Sequence, residues 1–93
     1  MVVRTVHARI SGRVQGVGYR VWVADEAVAR GLSGWVRNRR DGAVEAVFSG
    51  EVADVAAMLE ACGDGPRIAR VDAVEVEDLA NAESGAFRVL PTE

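Results

Sequence analysis

From Thr5 to Arg13 apolar and polar residues alternate: Val6, Ala8 and Ile10 fall on one face, His7, Arg9 and Ser11 on the other. A period of two predicts a half-buried strand. Gly12, Gly16 and Gly18 then punctuate a short loop, after which Val21, Ala24, Val28 and Leu32 recur at helical spacing with charges between them. The spacing predicts a helix of about three turns, which Gly31 can end in a left-handed conformation. Gly34 to Arg39 and Ala43 to Phe48 read as two strands, and Asp41-Gly42 between them is the strongest short-range hairpin signal. From about Glu51, the positions Val52, Val55, Ala56, Leu59 and Cys62 mark a second amphipathic helix, stopped by Gly63 and Gly65-Pro66. Val71 to Glu77 alternates again, and Phe87-Arg88-Val89 predicts a short final strand after the polar stretch Asn81 to Gly85.

This order predicts an α+β fold, the ferredoxin-like α/β sandwich: βαββαβ plus a short final strand, an antiparallel sheet with two helices on one face. In that topology the first and second strands run parallel with the third between them. Their C-terminal ends then lie ~10 Å apart at one end of the sheet. The glycine loop and Asn38 become neighbours.

The chain has 93 residues, enough for one core and too few for two, so residues 1–93 are expected to form a single domain. With 49% apolar and 27% charged residues it has the composition of a globular domain, not of a disordered tail. One cysteine, Cys62, and one histidine, His7, allow neither an intramolecular disulfide nor a zinc site of several Cys and His ligands. A reducing, cytoplasmic setting is expected, with no metal and no other cofactor. No apolar run approaches the ~18 residues of a membrane helix, and the first residues lead into an alternating pattern, so no membrane association is expected. All 11 basic residues are arginine, which removes Schiff-base chemistry, a Walker-type lysine and a lysine base. The net charge of −3 argues against a surface that attracts nucleic acid throughout, while leaving room for a local positive pocket. A monomer without nucleic-acid partners is expected.

Two segments carry chemistry. Gly12-Arg13-Val14-Gln15-Gly16-Val17-Gly18-Tyr19-Arg20 is a glycine-spaced turn that leaves a strand and opens a helix, an anion site in outline. Glycines let several backbone N–H groups turn toward one point, a helix start adds unpaired donors, and Arg20 adds a planar fork suited to two phosphate oxygens. By spacing alone, a merely structural strand-to-helix turn explains these glycines at least as well. In Gly34-Trp35-Val36-Arg37-Asn38, the asparagine sits on a strand, where asparagine is disfavoured. A turn-adjacent Asn usually satisfies backbone groups. Beside the loop, its neutral amide offers a donor and an acceptor able to hold a water without taking its proton.

At these two segments the chain closely resembles acylphosphatases. Ile10 to Arg20 looks like that family's phosphate-loop signature, and Gly34 to Gly50, with Asn38, Gly42, Val44 and Gly50 in place, like its second signature. The resemblance implies hydrolysis of an acyl phosphate, a small-molecule substrate, to a carboxylate and inorganic phosphate. It makes Arg20 the phosphate-binding arginine and Asn38 the residue that orients the attacking water. The remaining phosphate donors would be backbone N–H groups of Gln15, Gly16, Val17, Gly18 and Tyr19. Tyr19 stands where phenylalanine is common in the family, and Arg40 where the hairpin often has a small residue or proline.

Other chemistry fits less well. His7 lies near the start of the first strand, at the end away from the loop, and the helical spacing of Cys62 makes it a core residue. Trp22 and Trp35 read as packing anchors, and Arg37, Arg39 and Arg40 as a solvated hairpin that can also draw anions in. The alternative is a non-catalytic ferredoxin-like module binding a small anion or RNA. It would need stacking aromatics on the exposed sheet face, where His7, Arg9 and Ser11 stand instead. A third reading is a domain cut from a larger maturation enzyme.

Overall fold

In the computed structural model, which describes residues 2–93, alternation and helical spacing become β1 (Val3–Arg13), α1 (Tyr19–Ala29), β2 (Ser33–Asn38), β3 (Val44–Glu51), α2 (Val52–Asp64), β4 (Arg70–Asp78) and β5 (Arg88–Val89). The sheet order is β4-β1-β3-β2-β5, so β3 lies between β1 and β2 and their C-terminal ends share one end of the sheet. β1, β3, β2 and β4 pair antiparallel, and β5 adds to the free edge of β2 in parallel, which makes the whole sheet mixed. Val6, Ala8 and Ile10 of β1, Val36 of β2, and Val44, Ala46 and Phe48 of β3 form the core face, fully buried beneath both helices. Among the described residues no helix is long and apolar enough to cross a membrane.

Each helix keeps part of the stripe its spacing predicts, Ala24 in α1 and Val55, Leu59 and Cys62 in α2, and departs from the rest. α1 buries Tyr19, Val23 and Ala27, whereas Val21 and Val28 are 60% and 64% exposed. In a valine- and alanine-rich helix two faces look apolar, and Tyr19, the helix's largest fully buried side chain, goes with the face that turns inward. Leu32 is buried as expected, but it lies beyond the helix. In α2, Val55 and Cys62 are buried as expected and Met58 joins them, while Val52 and Ala56 face solvent. The alternation of β4 also slips: Ser11 pairs Ala73 but Gly12 pairs Val71, leaving Asp72 as the extra residue of a bulge. A bulge bends and twists its strand pair, here at the point where β1 passes into the glycine loop.

The other sheet face is held by charge. His7 Nε2 lies 2.6 Å from Glu45 Oε2, Arg37 Nε donates to Glu45 Oε1 at 2.6 Å, and Arg39 is 3.5 Å from the same oxygen. Partial burial acts to raise the Glu45 carboxyl, but the hydrogen bonds from His7 and Arg37 outweigh it and hold it below its usual range. A carboxyl lowered in the folded state contributes stability above its unfolded pKa. That contribution is lost as pH falls through the folded value, because the unfolded chain then binds more protons. Urea melts are therefore expected to show stability declining as pH falls below about 4.5, with Glu45→Gln flattening the decline. An unchanged acid slope in Glu45→Gln would move the linkage to Asp41, whose carboxyl the Ala43 N–H and then Arg9 hold low.

Candidate active site

Between β1 and α1, residues 14–18 turn on Gly16 and Gly18, whose φ values of 73° and 75° are ones that side chains disfavour. Gly18 also occupies the N-cap of α1. It has no side chain to bond the first helical N–H groups, and no acidic residue stands in the first turn. A helix start has no intrahelical acceptor for these donors, so the positive end of the dipole is left for an anion.

Beside this loop lies a pocket of about 210 Å³, lined by Gln15, Gly16, Gly18, Tyr19, Arg20 and Asn38 together with Val14 and Val21. The sheet order thus brings together the two segments that the sequence singles out. Of the predicted loop donors only Val17 does not line the pocket; its side chain packs on the core, and its expected contribution is a backbone N–H. Arg20 is half-buried, and its Nη1 donates to the Leu90 carbonyl at 3.1 Å. Among the described residues no carboxylate forms an ion pair with it, whereas Arg37 is matched by Glu45 and Glu93. Arg20 is therefore the uncompensated positive charge of the pocket.

Asn38 ends β2. Its backbone pairs with Val44 and its carbonyl accepts from Glu93 N at 3.0 Å, so both sides of the residue are fixed. Its side-chain Oδ1 is buried without a hydrogen-bond partner, alone in this among the side-chain atoms of the described residues. Leaving a buried acceptor unpaired costs about 1–3 kcal/mol, so proteins retain such groups where something other than the fold uses them. The Asn38 side chain and a cation without a carboxylate partner line the same small space.

Tyr19 anchors the helix start. Its hydroxyl donates to the Cys62 carbonyl at 2.8 Å, and burial first of all pushes the phenol well above its ordinary pKa. In a continuing helix that carbonyl would take the N–H of residue 66, which is proline and has none. Tyr19→Phe is therefore expected to destabilise the fold by about 1–3 kcal/mol in urea unfolding, the cost of an orphaned buried carbonyl. An unaltered midpoint would mean that Cys62 finds another donor.

The remaining chemical candidates lie elsewhere. Burial pushes the Cys62 thiol up to about 12, so it stays protonated in the core. His7 faces Glu45 on the sheet face opposite the helices. Trp22 packs beside Tyr19 at 5.3 Å between ring centroids, and Trp35 lies under the Arg37 guanidinium at 4.8 Å. Among the described residues no three His, Cys, Asp or Glu side chains gather as metal ligands. Sequence reading missed the chain's last residues: Leu90 N donates to Val36 O at 2.8 Å, extending the edge of β2 and placing the Leu90 carbonyl against Arg20. No pattern in the polar tail announces that role.

The acylphosphatase family model matches residues 6–89. An acylphosphatase of Azorhizobium caulinodans is 62% identical over 90 residues, 95% of this chain and 96% of that protein. The structure of an acylphosphatase from Coxiella burnetii superposes with a TM-score of 0.91 at 35% identity, covering 95% of this chain and 93% of that one. Full-length HypF in its phosphate- and nucleotide-bound form matches with a TM-score of 0.89 at 26% identity, over 98% of this chain and 12% of that one.

Proposed function

The chain belongs to the acylphosphatase family and hydrolyses acyl phosphates to a carboxylate and inorganic phosphate, and we propose that Arg20 and the backbone N–H groups of residues 15–19 hold the phosphoryl group while Asn38 aligns the attacking water. The observation that carries the assignment is the one small pocket shared by the glycine loop, Asn38 and an Arg20 that has no carboxylate partner among the described residues. Arg20 and the loop donors spread the negative charge of the phosphoryl oxygens. The Asn38 side-chain amide, which lines the pocket, hydrogen-bonds the water and holds it behind phosphorus, in line with the acyl oxygen. The water oxygen bonds to phosphorus, the phosphorus–acyl oxygen bond breaks, and the carboxylate leaves with the electron pair. The water proton passes to a phosphoryl oxygen, giving dihydrogen phosphate.

So sparse a site suffices because a carboxylate leaves without a strong general acid, and loose phosphoryl transfer mainly needs alignment and charge stabilisation. Neither His7 nor Cys62 lines the pocket. In this reading residues 1–93 act as one metal-independent, cytoplasmic, monomeric domain. Nucleic-acid binding is not part of it, since the open sheet face carries the Glu45 ion network where an RNA reader needs bare aromatics. The test is phosphate release from acetyl or benzoyl phosphate in excess EDTA. Turnover is expected to persist, inorganic phosphate to compete, and a phosphomonoester to react far more slowly. Activity restored only by added Mg²⁺ would overturn the site assignment.

A further inference from the structure

We propose that the Gln15 side chain is a positioning residue, fixing the register between the phosphate loop and the strand end that bears Asn38. The inference rests on the roles proposed above for the loop and for Asn38. Gln15 Nε2 donates to two backbone carbonyls, Arg39 O at 2.6 Å and Ala43 O at 2.8 Å. An amide nitrogen carries two hydrogens, and both are used here.

Neither carbonyl needs Gln15 for its own satisfaction. Arg39 O already accepts from Gly42 N at 3.1 Å, and Ala43 O from Arg39 N at 2.8 Å. The hairpin is complete without the loop, so the two extra bonds serve the loop. Their targets flank one spot: Arg39 follows Asn38, Ala43 precedes Val44, and Asn38 pairs with Val44 across the hairpin. Gln15 thus ties the anion loop to the residues on either side of the Asn38–Val44 pair. Among the described residues no other hydrogen bond joins residues 14–18 to residues 38–43.

Within the loop, Val14 and Val17 are held by packing on the core, but the segment turns on Gly16 and Gly18 and has no sheet pairing, so packing alone does not tie it to the hairpin. Holding a phosphoryl group concerns only the loop and Arg20. In-line attack concerns the loop and Asn38 together, because water and phosphorus must meet at ~3–3.5 Å, and a misplacement of about 1 Å costs ~10²-fold in rate. Gln15 therefore acts on turnover far more than on phosphate affinity.

Gln15→Met keeps the length of the side chain and removes both donors. Its kcat is expected to fall about 10- to 100-fold, with KM and the inhibition constant for inorganic phosphate within about 3-fold of wild type. In the Asn38→Ala background the same substitution is expected to slow turnover by no more than about 3-fold, since the partner that Gln15 registers is already gone. A purely structural Gln15 would shift the folded fraction, seen by circular dichroism, and its effect would multiply with that of Asn38→Ala. Normal kcat in Gln15→Met, or full multiplication in the double variant, overturns the proposal. Normal turnover in Asn38→Ala alone overturns the reading beneath it, and the proposal with it. Should Gln15→Met not fold, Gln15→Asn, one methylene too short to reach both carbonyls, carries the same expectations.

Discussion

Arg20→Lys is expected to lose about 100-fold or more in kcat/KM, a transition-state loss of about 2.7 kcal/mol, although the charge is kept. The guanidinium has five N–H donors in a rigid plane, and one nitrogen is anchored on the Leu90 carbonyl at 3.1 Å. The anchor sets the plane, so the remaining donors meet two phosphoryl oxygens without a search. An ammonium has three donors on a flexible stem and no plane to set. It must choose between the carbonyl and the phosphate, and it offers the phosphate a point charge. Weaker phosphate inhibition and slower turnover should appear together, because the same fork serves bound substrate and transition state. Retention of more than about a third of wild-type kcat/KM, a loss under ~0.7 kcal/mol, would remove the bidentate role.

What was legible in the sequence follows from which signals are local. Strand alternation, the Asp41-Gly42 hairpin and the glycine loop are written in neighbouring residues, and together they imply the sheet order that brings Arg20 and Asn38 into one pocket. The face of α1 was not legible, because Val21 and Val28 look as apolar as Val23 and Ala27. The inward face goes with Tyr19, whose hydroxyl meets a carbonyl that Pro66, 47 positions on, leaves unpaired. The Asp72 bulge was hidden for a related reason: a slip in register is a relation between two strands. For Gln15 the sequence points to the backbone N–H alone. That its side chain reaches Arg39 and Ala43 depends on how closely the loop approaches the hairpin, which no spacing within either segment encodes. The Leu90 contact with Arg20 likewise spans 70 positions and passes through a backbone atom, so the identity of Leu90 carries no trace of it.

Asn38→Ala should separate turnover from binding and from stability at once. Arg20 and the loop still hold phosphate in this variant, so its inhibition constant is expected to stay within about 3-fold of wild type, while kcat falls about 100-fold or more. The water loses the amide that fixes it, and that loss is felt mainly where the new bond forms. Stability is expected to move the other way. Asn38 Oδ1 is buried without a partner, so deleting it removes an unsatisfied acceptor that costs about 1–3 kcal/mol, offset in part by the cavity left behind. The strand itself is secured through the backbone by Val44 and Glu93, neither of which needs the amide. Asn38→Ala should therefore unfold at a urea concentration equal to or above that of wild type, the pattern of a residue kept for chemistry at the expense of the fold. Phosphate calorimetry and urea unfolding on one preparation decide the matter. A folded variant that keeps its turnover removes Asn38 from the mechanism, and one that loses phosphate affinity along with turnover makes it a binding residue. A marked fall in stability would show that the amide is held by the protein after all.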